Sequence, residues 1–151
     1  MSAFADTSFL CALYHAQPGT ERADEYMRAT AAPLVVTSLV RFEFLQGTRF
    51  EAWRHDTQHT AAGYSLGEAL ALQLRFDEEV RAGRLRVPVL EWETVFREAD
   101  EISERHTVAK GYRGFDILHL AAAKVLGIPE FLTFDAGQRT LAEAEGLVVP
   151  L

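Results

Sequence analysis

The amino-acid sequence predicts a three-layer α/β/α domain on a mostly parallel sheet of about four to five strands. Three observations predict it. Short apolar or β-branched runs alternate along the chain with longer stretches of helical periodicity, which is the pattern of strand–helix–strand crossovers. Gly and Pro fall as single punctuation marks between these runs. No repeat, linker or low-complexity tract divides residues 1–151, which read as one domain.

Residues 2–6 form a first strand ending at Asp6, and 7–15 carry apolar groups at helical spacing up to the Gln17-Pro18-Gly19 break. A helix follows from Thr20 to Ala31, with Thr20 as N-cap and Glu21 in its first turn. After Pro33, Leu34-Val35-Val36-Thr37 suits a buried parallel strand, and Ser38 to about Thr48 turns helical. Residues 50–65 carry no clear period, whereas 66–82 place apolar residues on one stripe with Asp77, Glu78, Glu79 and Arg81 off it. Leu85–Leu90 is a third strand, Thr94–Val108 a helix, and Phe115–Leu126 a helix apolar on almost every side, which belongs inside. Phe131–Phe134 is a fourth strand, 136–145 a helix closed by Gly146, and Leu147–Val149 a final short strand.

At 151 residues and 48% hydrophobic content, the chain buries roughly 70% of the surface its unfolded form exposes and needs no staples. Its single cysteine, Cys11, cannot close an intrachain disulfide and lies in an apolar run that predicts a buried thiol. Neither a basic leader nor a membrane span is read at the N-terminus, so a reducing cytoplasm is expected. A net charge of −7 excludes a general nucleic-acid-coating protein, because phosphate binding is driven by basic surface; any nucleic-acid contact must be local.

Four acids stand where a carboxylate is costly. Asp6 and Asp135 follow strand ends, where parallel sheets bind ligands; Glu43 lies between Phe42 and Phe44, and Asp116 between Phe115 and Ile117. Each alone has an ordinary structural role: Asp6, Asp116 and Asp135 at helix starts, Glu43 paired with Arg41 or Arg49. Together they mean more. Within about 5 Å, each ionised pair repels by roughly 3 kcal/mol at an effective dielectric near 20, which a divalent cation relieves. Hard oxygen donors suit Mg²⁺ or Mn²⁺, whose chemistry is in-line phosphodiester hydrolysis. Thr7, Ser8 and Thr133 flank Asp6 and Asp135, where they either hold an acid in place or serve as ordinary caps. Arg41, Lys110, Arg113 and Arg139 are candidates for substrate phosphate, with surface ion pairs the competing role.

Four blocks in order, Ala5-Asp6-Thr7-Ser8-Phe9-Leu10, Ser38 to Gly47 around Glu43, Arg113 to Ala123 around Asp116, and Phe131 to Asp135, resemble the PIN-domain pattern, most like the toxin of a VapC-type toxin–antitoxin pair. The resemblance spans nearly the whole chain but finds no motif in residues 50–90. It implies a Mg²⁺- or Mn²⁺-dependent ribonuclease whose acids are Asp6, Glu43, Asp116 and Asp135, with Thr7, Ser8 and Thr133 as polar companions. It further implies a homodimer and a cognate antitoxin that wraps the toxin. The interval from Asp116 to Asp135 is longer than the family pattern often shows.

Other chemistries fit less well. An aspartate-nucleophile phosphotransferase needs a second aspartate where Ser8 stands, and a receiver domain needs a lysine after a late strand, which neither Lys110 nor Lys124 provides. His55 and His59 have helical i, i+4 spacing that suits zinc, but without a partner motif a solvated segment is the better reading. His119, one turn beyond Asp116, either orients an acid or packs, and packing is expected. Trp53, Trp92 and the phenylalanines read as core or dimer surface. A non-catalytic relative receiving a basic peptide in the acidic cleft, or a free-standing RNA-processing nuclease, are the alternative functions.

Overall fold

The computed structural model describes residues 2–59 and 63–151. In chain order its elements are β1 (Ala3–Ala5), α1 (Thr7–Tyr14), α2 (Thr20–Ala29), β2 (Leu34–Val35), α3 (Ser38–Gln58), α4 (Leu66–Arg81), β3 (Leu85–Arg86), α5 (Trp92–Lys110), α6 (Gly114–Val125), β4 (Glu130–Leu132) and α7 (Ala136–Ala144). The four strands form one sheet in the order β3-β2-β1-β4, and every pairing is parallel. Helices flank this sheet, as the alternating pattern requires.

Strands β1 and β4 make the centre of the core. Phe4 opposes Phe131 across the ladder, and the two fully buried rings stack at 5.3 Å. Burial of such a side chain stabilises the fold by about 1.5–3 kcal/mol, and the stacked pair adds about 0.5–1.5 kcal/mol. The chain runs outward from β1 to β2 and β3, then returns to place β4 on the other side of β1. That reversal opens a crevice at the carboxyl ends of β1 and β4, where Asp6 and Asp135 are found.

Several boundaries differ from expectation. Residues 50–58 continue α3, which runs for 21 residues. Its second half buries little beyond Thr48 and Ala52 and leaves Phe50 and Trp53 outside, so the stripe that marks a helix is absent there. Of the unassigned tract, 60–62 lie outside the described residues, and Ser65 starts α4 with a capping box to Glu68. β3 stops at Arg86 because Pro88 has no amide to give the ladder, and the expected strand at 147–149 contracts to a single bridge between Val148 and Glu130. The N-cap of α2 is Gly19, not Thr20. Gly19 takes φ +103° against the ring of Phe134, while the Thr20 hydroxyl donates to the Ala12 carbonyl at 2.7 Å.

Candidate functional site

One cavity of about 220 Å³ at the carboxyl edge of the sheet is lined by Asp6, Thr7, Ser8, Cys11, Glu43, Arg113, Asp116, His119 and Asp135. Chain segments distant in sequence converge there because α1, α3, α6 and α7 all meet at that edge.

Asp6 is 4% exposed. Its Oδ1 caps α1 by accepting from the Phe9 amide at 2.9 Å, and it also accepts from the Ser8 hydroxyl at 2.7 Å. Burial pushes its carboxyl above the ordinary aspartate range, against the opposing pull of Thr133, the Phe9 amide and Ser8. Among the described residues no basic side chain pairs with it.

Glu43 leaves the second turn of α3 and accepts two hydrogen bonds at one oxygen. Oε2 takes the Thr7 hydroxyl and lies 2.7 Å from His119 Nε2. Burial raises its carboxyl, but these two donors and the nearby Arg113 guanidinium outweigh that and hold it below the ordinary glutamate range. Asp116 sits in the first turn of α6 without capping it, and its Oδ2 accepts from Arg113 Nε at 3.1 Å. Asp135 caps α7 through the Gln138 amide at 2.8 Å. Gln138, buried, turns its own amide to the Asp116 carbonyl at 3.0 Å, and so ties α7 to the start of α6.

The polar companions form a chain. Ser8 Oγ lies 3.2 Å from Thr133 Oγ1 and accepts from the Phe134 amide, while Thr133 Oγ1 accepts from the Asp135 amide at 3.0 Å. Asp6 and Asp135 are therefore locked in mutual register through two hydroxyls.

Of the four phosphate candidates, only Arg113 reaches the cavity. Arg41 pairs with Asp77 at 3.3 Å, Arg139 donates to the Leu151 carbonyl, and Lys110 ends α5 on the exposed surface. Cys11 is half-buried rather than buried. It faces the cavity, where burial and then the charges of Asp6 and Glu43 push its thiol up to about 11. His119 does more than pack: it is 2% exposed and lies edge-on to Phe115, yet its Nε2 reaches Glu43. The signal was its position one turn after Asp116, on the same helix face. His55 sits in the last turn of α3 and His59 caps it at φ 48°, and no third ligand joins them among the described residues.

Among the described residues no three acid, histidine or cysteine side chains close into a metal cage. Each acid instead has its own local compensation: a helix N-terminus for Asp6 and Asp135, two donors for Glu43, one guanidinium for Asp116. The cavity still sets four carboxylates against one arginine. An open wall of hard oxygen donors with excess negative charge fits an ion such as Mg²⁺, which takes one or two carboxylates and keeps several waters.

Next to this cavity lies an apolar groove of about 380 Å³ lined by Leu39, Phe42, Trp92, Phe96, Phe115 and Leu118. Trp53 points outward elsewhere, 5.4 Å from Phe50. No helix of the described residues is long and apolar enough to cross a membrane.

Comparison with solved structures finds the same fold. VapC20 of Mycobacterium tuberculosis, described as a toxin that cleaves the sarcin–ricin loop, superposes with a TM-score of 0.67 at 21% identity, over 97% of this chain and 96% of that one. The FitAcB structure from Neisseria gonorrhoeae gives 0.65 at 17% identity, over 99% and 96% of the two chains. A toxin–antitoxin complex from Klebsiella pneumoniae gives 0.64 at 13%, over 99% and 98%. No curated protein matches the sequence significantly. The family model of the PIN domain matches residues 3–144, and with it the segments that supply all four acids of the cavity, so the chain belongs to the PIN-domain family.

Proposed function

We propose that this chain is a divalent-metal-dependent endoribonuclease and the toxin of a toxin–antitoxin pair, with residues 1–151 as one nuclease domain. The observation that carries the reading is the meeting of Asp6, Glu43, Asp116 and Asp135 around one cavity of a PIN-domain chain, with a single arginine among them. These four residues would hold Mg²⁺ or Mn²⁺. The chemistry such an ion brings is neutralisation of phosphate charge and activation of water.

The chain's own residues then divide the work. Asp6 is fixed by Phe9 and Ser8, so its carboxylate needs no reorganisation to meet a cation. Thr133 and Ser8 hold Asp135 at a set distance from Asp6. Arg113, with a side chain 78% exposed, can turn its fork from Asp116 to an incoming phosphate. The small volume of the cavity and the net charge of −7 favour a single strand bound locally over a duplex laid on a broad basic face.

The toxin assignment is supported by the structural likeness to VapC20, to FitAcB and to a toxin–antitoxin complex. Exposed Phe42, Phe96 and Phe115 in the groove beside the acids give an apolar surface for protein partners, which we assign to an antitoxin segment or a second copy in a homodimer. The protein is expected to work in the cytoplasm, where its RNA substrate is found.

Purified protein incubated with single-stranded RNA and Mg²⁺ or Mn²⁺ tests the nuclease. Cleavage that EDTA and Asp6→Asn both abolish supports it. Absence of metal-dependent cleavage across varied RNAs, including structured ribosomal and transfer RNA, contradicts it.

A further inference from the structure

His119 is an expensive residue for its position. It is 2% exposed on the inner face of α6, and its Nδ1 is buried with no partner among the described residues. An orphaned buried polar atom loses its hydration without a hydrogen bond in return, a cost that a leucine of similar bulk would avoid. Packing alone therefore does not account for a histidine. What the imidazole gains is its other nitrogen, 2.7 Å from Glu43 Oε2.

That oxygen also accepts the Thr7 hydroxyl. An ionised carboxylate only accepts, so Nε2 carries the hydrogen and donates it. Both donors fall on Oε2, one from α1 and one from α6, while Oε1 receives no hydrogen bond from the described residues. Glu43 thus has one oxygen tied down by two helices and one left over in a cavity lined by three other acids.

We infer that His119 is a positioning residue for Glu43: by donating from Nε2 to Oε2 it sets the rotation of the carboxylate and presents Oε1 as the single oxygen offered to a cation. The inference rests on the cation-binding reading of the cavity. It predicts that Glu43 binds through one oxygen only and that the histidine's effect runs through metal affinity rather than fold stability. A partner that orients a ligand in this way is worth about 10- to 100-fold in affinity or activity.

The test is Mn²⁺ binding to the purified full chain, read from the electron paramagnetic resonance of free Mn²⁺, with thermal melts alongside. His119→Leu keeps the bulk and removes the donor. His119→Gln places an amide N–H near the Nε2 position. Expected are a melt for His119→Leu at or above that of the wild type, Mn²⁺ affinity about 10- to 100-fold weaker, and recovery of most of that loss in His119→Gln. Wild-type affinity in folded His119→Leu overturns the inference, as does a His119→Gln no better than the leucine variant. Asp6→Asn separates the two levels: if it binds Mn²⁺ as the wild type does, or the wild type binds none, the cation site itself fails and the inference falls with it. Should His119→Leu not fold, the imidazole ¹⁵N spectrum of the wild type decides. A proton on Nε2 is required, and an Nδ1–H tautomer overturns the assignment.

Discussion

Asp6 Oδ1 lies 2.9 Å from the Phe9 amide, so the most buried acid of the cavity also caps the helix that follows it. Capping and the proposed cation binding are not competing explanations here. The helix N-terminus partly offsets the burial of a carboxylate that no basic side chain meets among the described residues. Asp6→Asn keeps an acceptor for the cap and removes the buried charge; Asp6→Ala removes both. Activity should vanish in each, whereas the alanine variant alone should lose about 1 kcal/mol of stability, measured by urea unfolding. Equal destabilisation of the two would show that the cap is not what Asp6 supplies to the fold.

Ser8 Oγ serves three neighbours: it donates to Asp6, lies 3.2 Å from Thr133, and accepts from the Phe134 amide. Ser8→Ala leaves that amide and one side of Asp6 unsatisfied in a partly buried place. A stability loss of about 1–3 kcal/mol and reduced cleavage are expected, from denaturant melts and RNA turnover.

Glu145 gathers Arg105, Lys124 and His106 from α5 and α6, with Arg105 bidentate at 3.0 and 2.8 Å. Burial opposes ionisation, but these donors win and draw the carboxyl down to about 2. A depressed acid contributes stability that is fully present above the unfolded glutamate value, near 4.5, and is lost as pH falls from there toward 2. Wild-type stability should therefore decline across that window more steeply than that of Glu145→Gln, and the difference should vanish at the acid end. Parallel profiles from pH-dependent urea melts would contradict the network's role.

Gly19 stands at φ +103° with Phe134 ring carbons 3.2 Å from where a Cβ would lie. Gly19→Ala meets both a left-handed backbone and an aromatic wall. A loss above about 1 kcal/mol is expected in thermal or chemical unfolding. Phe134 follows Thr133 and precedes Asp135, so cleavage should fall as well.

The parts of the candidate site legible in the sequence are those with local signatures. Asp6 and Asp135 follow apolar strands directly, and Asp116 and Glu43 sit in hydrophobic company, so each advertises its position. Thr7, Ser8, Thr133 and Arg113 were legible as their neighbours. What was not legible depends on contacts across the fold. Arg41 is drawn to Asp77 of α4 and Arg139 to the chain end, pairings that no spacing reveals. His119 reads as one more core residue until α3 brings Glu43 against it, and Cys11 reads as buried until the acids open a cavity beside it. In the fold, the parallel sheet and its crossovers followed from alternation. The extension of α3 to Gln58 did not, because Phe50 and Trp53 turn outward and break the apolar stripe.

The acids flanking the β1–β4 crevice are proposed to act as one site. Single-turnover RNA cleavage by Asp6→Asn, Asp135→Asn and the double variant is the decisive measurement. Residues that serve a single unit are strongly non-additive, so the double variant should lose no more than the worse single one, at least about 100-fold below wild type. Losses that multiply, or cleavage that survives either substitution, would show that the two acids do not serve one site.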